Sequence, residues 1–288
     1  LLEIRKILPE TKPVRTSGSQ GALIASDRWV VMDLPATIHE ESRELVQRWR
    51  QLFEDYGTGL GVVTGMHLKE ARDFIRKHDL PEPGFLISSL GAEIHYGSRD
   101  VRDDRWRQQV AARWNRGRVM EALADTPGLI LQAEENQHAF KVSYLMDASQ
   151  APGRMAIQRM LRENGIAAKV MVTARSFVDV VPLRGGKDVG LRYIEHRWGI
   201  EPGRIFYFAG YGNDMGAVRG RNLSVIPADG DRILRQIVPR PRIYHAQGKG
   251  LAGFFEGLEH YRFLGDAHPP KPAEEPGDDA VGQIELHP

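Results

Sequence analysis

The sequence predicts an α/β protein in which a parallel sheet is interrupted by an inserted α+β unit. Short apolar runs alternate with amphipathic helical segments over residues 29–88 and again over residues 189–226. Strands and helices in this order build a parallel sheet through right-handed crossovers. Between these two regions, residues 101–181 mix helical segments with alternating strands, which is typical of a separate α+β unit.

The first half of the predicted sheet comes from three apolar runs. The first run stops at a carboxylate, Asp33, and then turns through Pro35 and Thr37 into a helix whose apolar residues recur at the spacing of a core-facing stripe. The predicted elements are a strand at Trp29–Asp33, a helix at Glu41–Tyr56, a strand at Leu60–Val63, a helix at Leu68–His78 and a strand at Phe85–Ser88.

The inserted unit and the return to the sheet follow the same rules of periodicity. In the insert we predict helical segments at Trp106–Ala124 and Gly153–Asn164, and strands at Phe140–Met146 and Ala168–Thr173. The sheet resumes with a helix at Val189–Trp198, a strand at Ile205–Ala209, the glycine-rich segment Gly210–Asp214, a strand at Leu223–Ile226 and a last helix at Ala252–His260.

The two ends of the chain differ from the middle in composition. Leu1–Leu8 has helical spacing, and Pro9–Gly21 is a polar stretch of linker type. Two interpretations remain open: the downstream part of a longer protein, or the short N-terminal helix of a free-standing one. The predicted organisation is helix and linker at 1–22, core at 23–101 and 182–264, cap at 102–181, and a disordered tail at 265–288 that is too poor in apolar residues to fold.

Composition excludes several classes of function. With 39 basic and 38 acidic residues among 288, the net charge is +1, and nothing favours nucleic acid or a membrane surface as a partner. The sequence has no cysteine, which removes thiolate nucleophiles and is compatible with a reducing compartment. No apolar run reaches the roughly 20 residues that span a bilayer, and the first residues lack the layout of a signal peptide. We expect a cytoplasmic protein.

Polar residues stand at or just after the predicted strand ends, where a parallel sheet presents its ligand-binding edge. They are Asp33, Thr64, Lys187, Asn213 and Asp214. In order and spacing they resemble the four motifs of the haloacid-dehalogenase-like phosphatases. The chemistry of that family explains the set, because a carboxylate attacks phosphorus while a hydroxyl, a lysine and a magnesium ion neutralise the phosphoryl oxygens.

The resemblance can be narrowed to a subgroup. The stretches Ser88–Tyr96, Lys141–Tyr144, Asp179–Lys187 and Ile243–Gln247 followed by Gly257–Tyr261 are similar to sucrose-phosphate phosphatase and to the related C-terminal domain of bacterial sucrose-phosphate synthase. The likeness runs from about Arg28 to Leu264. It implies a Rossmann-like parallel core with the haloacid-dehalogenase fold, carrying an inserted α+β cap of the C2 type.

The resemblance also implies roles for individual residues. Asp33, Thr64 and Lys187 take the catalytic positions, and Asp33, the backbone carbonyl of Pro35 and Asp214 take the positions of magnesium ligands. The residues at substrate-binding positions are Thr37, Gly65, Gly91, Glu93, Lys141, Tyr144 and Asn213. The implied ligand is a sugar phosphate, sucrose 6-phosphate, held between core and cap.

The sequence departs from the family at three motifs. Pro35 stands where a second aspartate acts as general acid and base, a contribution typically worth about 10²–10⁴ in rate. Met66 stands where an arginine usually follows Thr-Gly, and the fourth motif, Gly210–Asp214, is shorter by one residue and lacks its first aspartate. Since magnesium prefers a nearly complete octahedral oxygen shell, these changes predict weak or lost metal binding.

The departures favour a catalytically degenerate phosphatase-like domain that accompanies sucrose-phosphate synthase in sucrose biosynthesis and stabilises it or holds its product. Two alternatives remain. One is an active magnesium-dependent phosphatase with Asp33 as nucleophile and Glu93 or His39 as substitute acid. The other is a sugar-phosphate sensor that closes its cleft on the ligand without turnover.

Overall fold

The computed structural model describes residues 26–34, 38, 43–55 and 58–265. The predicted N-terminal helix and linker, Pro35, Thr37, His39 and the tail from residue 266 onward lie outside the described residues. The described chain forms an eight-stranded sheet and a four-stranded sheet. The predicted α/β core with an inserted α+β unit is therefore confirmed.

The strands are β1 (Trp29–Met32), β2 (Gly59–Val63), β3 (Phe85–Ser88), β4 (Glu93–Tyr96), β5 (Val101–Arg102), β6 (Leu129–Leu131), β7 (Val142–Met146), β8 (Ala168–Thr173), β9 (Phe177–Pro182), β10 (Ile205–Phe208), β11 (Leu223–Ile226) and β12 (Ile243–His245). The helices are α1 (Arg43–Asp55), α2 (Leu68–Lys77), α3 (Asp104–Ala111), α4 (Arg116–Leu123), α5 (Arg154–Glu163), α6 (Lys187–Trp198), α7 (Met215–Val218), α8 (Arg232–Arg235) and α9 (Gly250–His260).

The large sheet has the order β12-β11-β10-β1-β2-β3-β4-β5. All pairs from β12 to β3 are parallel, whereas β4 and β5 add an antiparallel edge. The central strand β1 pairs with β10 on one side and β2 on the other. The carboxyl ends of these three strands therefore meet at one edge, which is where an open parallel sheet binds ligands.

Apolar residues cover both faces of the large sheet. Val31 points into a cluster with residues of α3 and α6, and its neighbour Val30 points into the opposite cluster with residues of α1, α2 and α9. Successive side chains of a strand alternate between faces, so a strand buried on both faces becomes a continuous apolar run. This explains why the central strands could be predicted from the sequence.

The small sheet has the antiparallel order β6-β7-β9-β8. Helices α4 and α5 cover one of its faces, with Val119, Leu123, Ile157 and Leu161 packed against strand residues such as Val170. The other face is turned toward the carboxyl edge of the large sheet, where Ser143 and Asp179 border the cleft described below.

The predicted helical segment Trp106–Ala124 is two helices, α3 and α4. The break contains Arg113 in the left-handed region, with a φ of 62°, and Asn115, whose side chain accepts a hydrogen bond from the backbone of Arg118 and caps α4. Trp106 and Val110 of α3 pack in a cluster with residues of the large sheet. We therefore propose that the cap begins near Asn115 rather than at residue 102.

Every helix among the described residues is too short or too polar to cross a membrane.

Candidate functional site

Four side chains meet at the carboxyl edge of the large sheet. Asp33 follows β1, Thr64 follows β2, Lys187 is the first residue of α6, and Asp214 follows β10 after a short glycine-containing turn. Each is at most 1% exposed. Their meeting follows from the strand order, because β1, β2 and β10 are neighbours and end at the same edge.

The ammonium group of Lys187 lies between two carboxylates. Its Nζ is 2.8 Å from Oδ1 of Asp33 and donates a hydrogen bond of 2.9 Å to Oδ1 of Asp214. Burial lowers the pKa of Lys187, but the charges of Asp214 and Asp33 outweigh burial, and the pKa is raised above its ordinary value. Lys187 is therefore a charged group within a buried cluster.

The two carboxylates respond differently to the same surroundings. Burial, together with the charge of Asp214, raises the pKa of Asp33 well above its ordinary value despite the opposing effect of Lys187. Burial also acts to raise the pKa of Asp214, but the charge of Lys187 and several hydrogen bonds lower it overall. Asp214 is thus the firmly ionised partner of Lys187, and Asp33 is the more easily protonated one.

Asp214 has no oxygen lone pair left over for a further ligand in this arrangement. Its Oδ1 accepts hydrogen bonds from Lys187 at 2.9 Å and from the hydroxyl of Tyr207 at 2.7 Å. Its Oδ2 accepts from the backbone amides of Gly210 at 2.9 Å and Tyr211 at 3.1 Å. Four donors fill the acceptor capacity of a carboxylate.

Two of the three predicted magnesium ligands, Asp33 and Asp214, are engaged by protein groups in this arrangement. Pro35 lies outside the described residues, Asp214 is saturated by protein donors, and Lys187 already neutralises Asp33. Among the described residues there is no group of three or more histidine, aspartate or glutamate side chains that could hold a metal. Magnesium is usually held by one or two carboxylates, with water completing its octahedral shell, and here Lys187 pairs with both available carboxylates.

Thr64 also has its hydroxyl engaged within the protein. The hydroxyl donates to the carbonyl of Leu34 at 2.7 Å and accepts a hydrogen bond from the amide of Met66 at 3.2 Å. It ties the end of β1 to the turn after β2. Thr37, the other predicted hydroxyl, lies outside the described residues.

A cleft of about 470 Å³ separates this edge from the small sheet. Ligand sites of small molecules have volumes of about 300–1,000 Å³. Four of the predicted site residues line it: Gly65, Lys141, Lys187 and Asn213. The remaining lining residues are Leu34, Met66, His67, Glu70, Leu90, Gln132, Asn136, Ser143, Thr173, Phe177, Asp179 and Tyr211.

The cap side of the cleft carries a polar cluster that sequence reasoning found only in part. The hydroxyl of Ser143 donates to Oδ1 of Asp179 at 2.6 Å, and Nζ of Lys141 lies 3.9 Å from the same oxygen. Ser143 and Asp179 are directly opposite each other on β7 and β9. Strand alternation from Lys141 was the signal that could have identified Ser143, since residues two apart share a face.

The same alternation overturns the prediction for Tyr144. It is 3% exposed and packs on the opposite face of the small sheet, in the cluster with α4 and α5. It is absent from the described lining of the cleft. The expectation that Tyr144 contacts the sugar is therefore wrong, because a shift of one residue along a strand changes the face.

Gly91 and Glu93 are not among the lining residues of the cleft, and their roles as substrate contacts stay predictions. Gly91 has a φ of 85°, and a Cβ atom there would lie 2.3 Å from the backbone carbon of Gly186. Glu93 faces the cap, where its Oε2 is 3.3 Å from Nε2 of His138. Gly91 thus lets two loops touch, and Glu93 joins core to cap.

Asn213 makes a second connection between the two sheets. Its Nδ2 is 3.5 Å from Oγ1 of Thr173 on β8. Together with the Glu93–His138 pair, this contact brings the cap over the buried cluster of Asp33 and Lys187.

Known proteins resemble this chain over most of the described region. A family model described as sucrose-6F-phosphate phosphohydrolase matches residues 26–262. A probable sucrose-phosphatase from Arabidopsis thaliana is 30% identical over 173 residues, which are 57% of this chain and 41% of that protein. A probable sucrose-phosphate synthase from Oryza sativa subsp. japonica is 30% identical over 175 residues, which are 55% of this chain and 17% of that protein. The chain therefore spans less than about two thirds of the length of these curated relatives.

Among solved structures, the sucrose-phosphatase from Synechocystis sp. PCC6803, in complex with sucrose and phosphate, superposes with a TM-score of 0.75. The sequences are 23% identical, and the match covers 83% of this chain and 99% of that one. The two proteins share a fold, which is that of the haloacid-dehalogenase-like phosphatases with a cap.

Proposed function

The chain belongs to the sucrose-6F-phosphate phosphohydrolase family, and from this membership and the geometry of the cleft we propose that it is a catalytically degenerate member. It binds a disaccharide phosphate such as sucrose 6-phosphate between core and cap and does not hydrolyse it efficiently. The function belongs to sucrose biosynthesis, and the domain accompanies a sucrose-phosphate synthase. We place it in the cytoplasm, consistent with a sequence that has no cysteine.

One observation carries the proposal: the catalytic groups satisfy one another. Lys187 is bound to Asp33 and Asp214, and Asp214 is further saturated by three protein donors. The hydroxyl of Thr64 donates its hydrogen bond to the backbone carbonyl of Leu34. A nucleophile that is buried and partly neutralised by an internal ammonium, with magnesium binding weak or lost, has little to activate it.

The position two residues after Asp33 supports the same conclusion. Pro35 has no ionisable group and cannot act as an acid or base. Glu93, considered as a substitute acid, is directed to His138, and the hydrogen bond and charge of that histidine outweigh burial and lower the pKa of Glu93. A carboxyl with a lowered pKa is ionised at neutral pH and is a poor proton donor.

Binding is supported by the groups that the cleft retains. Lys141, Ser143 and Asp179 present an ammonium, a hydroxyl and a carboxylate from the cap, and Asn213 presents an amide from the core. These are the side-chain types that bind sugar hydroxyls and a phosphate. The similarity to a rice sucrose-phosphate synthase supports the proposed partnership with a synthase.

Hydrolysis is tested with sucrose 6-phosphate and magnesium, measuring released phosphate for the unmodified protein and for Asp33→Asn. We expect both to release phosphate at the same background rate, since the aspartate no longer serves as nucleophile. Magnesium-dependent release that is lost in Asp33→Asn would identify an active phosphatase and overturn the proposal.

Binding is tested separately by calorimetric titration with sucrose 6-phosphate. We expect saturable binding that weakens about tenfold in Lys141→Ala, since a charge-assisted hydrogen bond contributes about 1.5–3 kcal/mol. Lys69→Ala, at an exposed lysine of α2, is the matched control and should bind like the unmodified protein. No heat at millimolar ligand would remove the binding function.

A further inference from the structure

A second cavity lies between the two sheets, apart from the cleft. It has a volume of about 370 Å³ and is bordered by α3, by the start of α6 and by the end of the small sheet. Within the described chain it shares no lining residue with the cleft. The two chain segments that join the sheets both border it, one at Arg113 after α3 and the other at Leu183 and Arg184 after β9.

The walls of this cavity are strongly basic. Arg113, Lys169, Arg184 and Arg192 all line it. One carboxylate, Asp188, offsets part of this charge, with Oδ1 at 3.7 Å from Lys169 and Oδ2 at 2.9 Å from Arg192. The cavity therefore keeps an excess of positive charge.

Two of the four cations have no partner among the described residues. Arg113 and Arg184 make no hydrogen bond or ion pair there, and both side chains are exposed. The Nε atom of Arg192 is buried without a hydrogen-bond partner in the same part of the chain. Burial lowers the pKa of Lys169 despite the opposing charge of Asp188, so an additional anion nearby would stabilise its charged form.

Apart from Gln109, the rest of the wall is mainly apolar. Leu183 is 55% exposed, and Val189, Tyr193 and Trp106 contribute further apolar surface. A site with cations at its mouth and an apolar wall suits a ligand that carries both an anionic group and an apolar body. The planar fork of arginine matches the oxygens of a phosphate in two parallel hydrogen bonds.

The position of the cavity connects it to the cleft through a short stretch of chain. Nζ of Lys169 donates to the carbonyl of Gly185 at 2.9 Å, and Gly186, with a φ of 117°, turns the chain into α6. The next residue, Lys187, lies in the cleft. A ligand in the cavity would thus contact the cap, the core and the segment that joins them.

We propose that this cavity is a second binding site, for a small organic phosphate with an apolar body, formed between Arg113 and Arg192, after α3 and on α6, and Lys169 and Arg184, on β8 and after β9. It is independent of the cleft and does not require the proposed function to be correct.

The proposal is tested with phenylphosphonate, which carries a phosphonate dianion on an aromatic ring, and with inorganic phosphate as the anion alone. Calorimetric titration of the full chain should show saturable binding of phenylphosphonate, tighter than that of inorganic phosphate because of the apolar wall. The double variant Arg113→Ala with Arg184→Ala should weaken binding at least about tenfold, as expected for the loss of charge-assisted hydrogen bonds.

Two controls separate this site from others. Arg159→Ala with Arg235→Ala removes two exposed arginines elsewhere and should leave binding unchanged. Lys141→Ala alters the cleft and should also leave it unchanged. Since Arg113 and Arg184 are exposed, their replacement should not affect folding, and a circular dichroism melt checks this.

Changes in amide chemical shifts during the titration show where phenylphosphonate binds. Shifts at Lys169, Leu183 and Gly185 are expected, with little change at Gly65. No saturable binding, equal binding by the double variant, or loss of binding in Lys141→Ala with shifts at Gly65 would each overturn the proposal. The last outcome would place the anion in the cleft alone.

Discussion

Among single residues, Lys187 has the largest expected effect on stability. It is 1% exposed and is the one cation within reach of both Asp33 and Asp214 among the described residues. Without it, two buried carboxylates would face each other with no compensating charge. Breaking a buried ion pair by removal of one partner is strongly destabilising, because the remaining charge is left uncompensated.

We therefore expect Lys187→Met to lower the free energy of unfolding by about 3–5 kcal/mol. Urea denaturation followed by circular dichroism measures this. Lys69→Met is the control, since the Lys69 side chain is 89% exposed and its ion pair with Asp73 lies at the surface; its effect should stay within about 1 kcal/mol. A Lys187→Met protein as stable as the control would contradict the description of the cluster.

Glu195 gives a prediction about pH. Burial raises its pKa to about 7, although Arg221 and Arg192 act in the opposite direction. A carboxyl with a raised pKa in the folded state is protonated more easily there than in the unfolded chain. Its protonation therefore stabilises the fold at low pH. That contribution is lost as the pH rises from the unfolded value of 4.5 through about 7.

Replacing Glu195 with Gln removes this dependence. Relative to the unmodified protein, Glu195→Gln should gain about 2 kcal/mol more stability at about pH 8 than at about pH 5, since one pKa unit corresponds to about 1.4 kcal/mol. Urea midpoints at both pH values test it, with the exposed Glu163→Gln on α5 as control. Parallel pH dependence of the two variants would refute the prediction.

Some features of the site could be predicted from the sequence and others could not. Asp33, Thr64 and Lys187 could be placed together because each stands at the end of an apolar strand or the start of a helix. The saturation of Asp214 could not be predicted, because it depends on Tyr207 and on two backbone amides that carry no sequence signal. The face on which Tyr144 lies could not be predicted for a similar reason, since face depends on register rather than on residue type.

At the scale of elements, the contact between the loop after β3 and the start of α6 controls where Lys187 lies. Ser89, Leu90 and Gly91 all have positive φ, at 49°, 58° and 85°. Such backbone is costly for residues other than glycine and persists where surrounding structure enforces it. Trp106 donates from its indole to the carbonyl of Gly91 at 3.2 Å, which holds the loop against α3.

Gly91→Ala tests this contact. The new methyl group would lie 2.3 Å from the backbone carbon of Gly186, so one loop must move and α6 must shift with it. We expect a loss of about 1–3 kcal/mol in the free energy of unfolding, together with weaker binding of sucrose 6-phosphate. Gly203→Ala has nothing within 4 Å of its Cβ and should change neither quantity. Unchanged stability of Gly91→Ala would show that the loops separate freely.

The elements that the sequence predicted well are the ones buried on both faces or strongly amphipathic. β3, β8 and β11 have the predicted bounds, since each is an apolar or alternating run. The edge strands β5 and β12, and β4 beside β5, were not predicted. β5 has two residues, and β4 has four, Glu93–Tyr96, which is too short a run for its alternation of polar and apolar residues to give a clear signal.

At the scale of the whole molecule, the position of the cap depends on a few polar contacts across the cleft. Glu93 of the core and His138 of the cap are 3.3 Å apart, and the rings of His138 and His67 have centroids 5.7 Å apart. His67 is held in turn by a contact of 3.1 Å between its Nδ1 and the hydroxyl of Ser89. Both histidines therefore connect the cap to the strained loop after β3.

His138→Ala should release the cap. The loss of a hydrogen bond to a charged carboxylate costs about 1.5–3 kcal/mol, so an opening equilibrium governed by this contact should increase about tenfold or more. Hydrogen exchange should become faster by that factor in the segment from Glu134 to Lys141 and around Glu93, while the central strand β1 stays protected. His196→Ala, at an exposed position of α6, is the control and should leave exchange unchanged.

Since the cleft lies between both units, faster opening of the cap also predicts weaker retention of sucrose 6-phosphate. Equal exchange in the two variants would mean that the cap is held by its two chain connections and not by the contacts across the cleft.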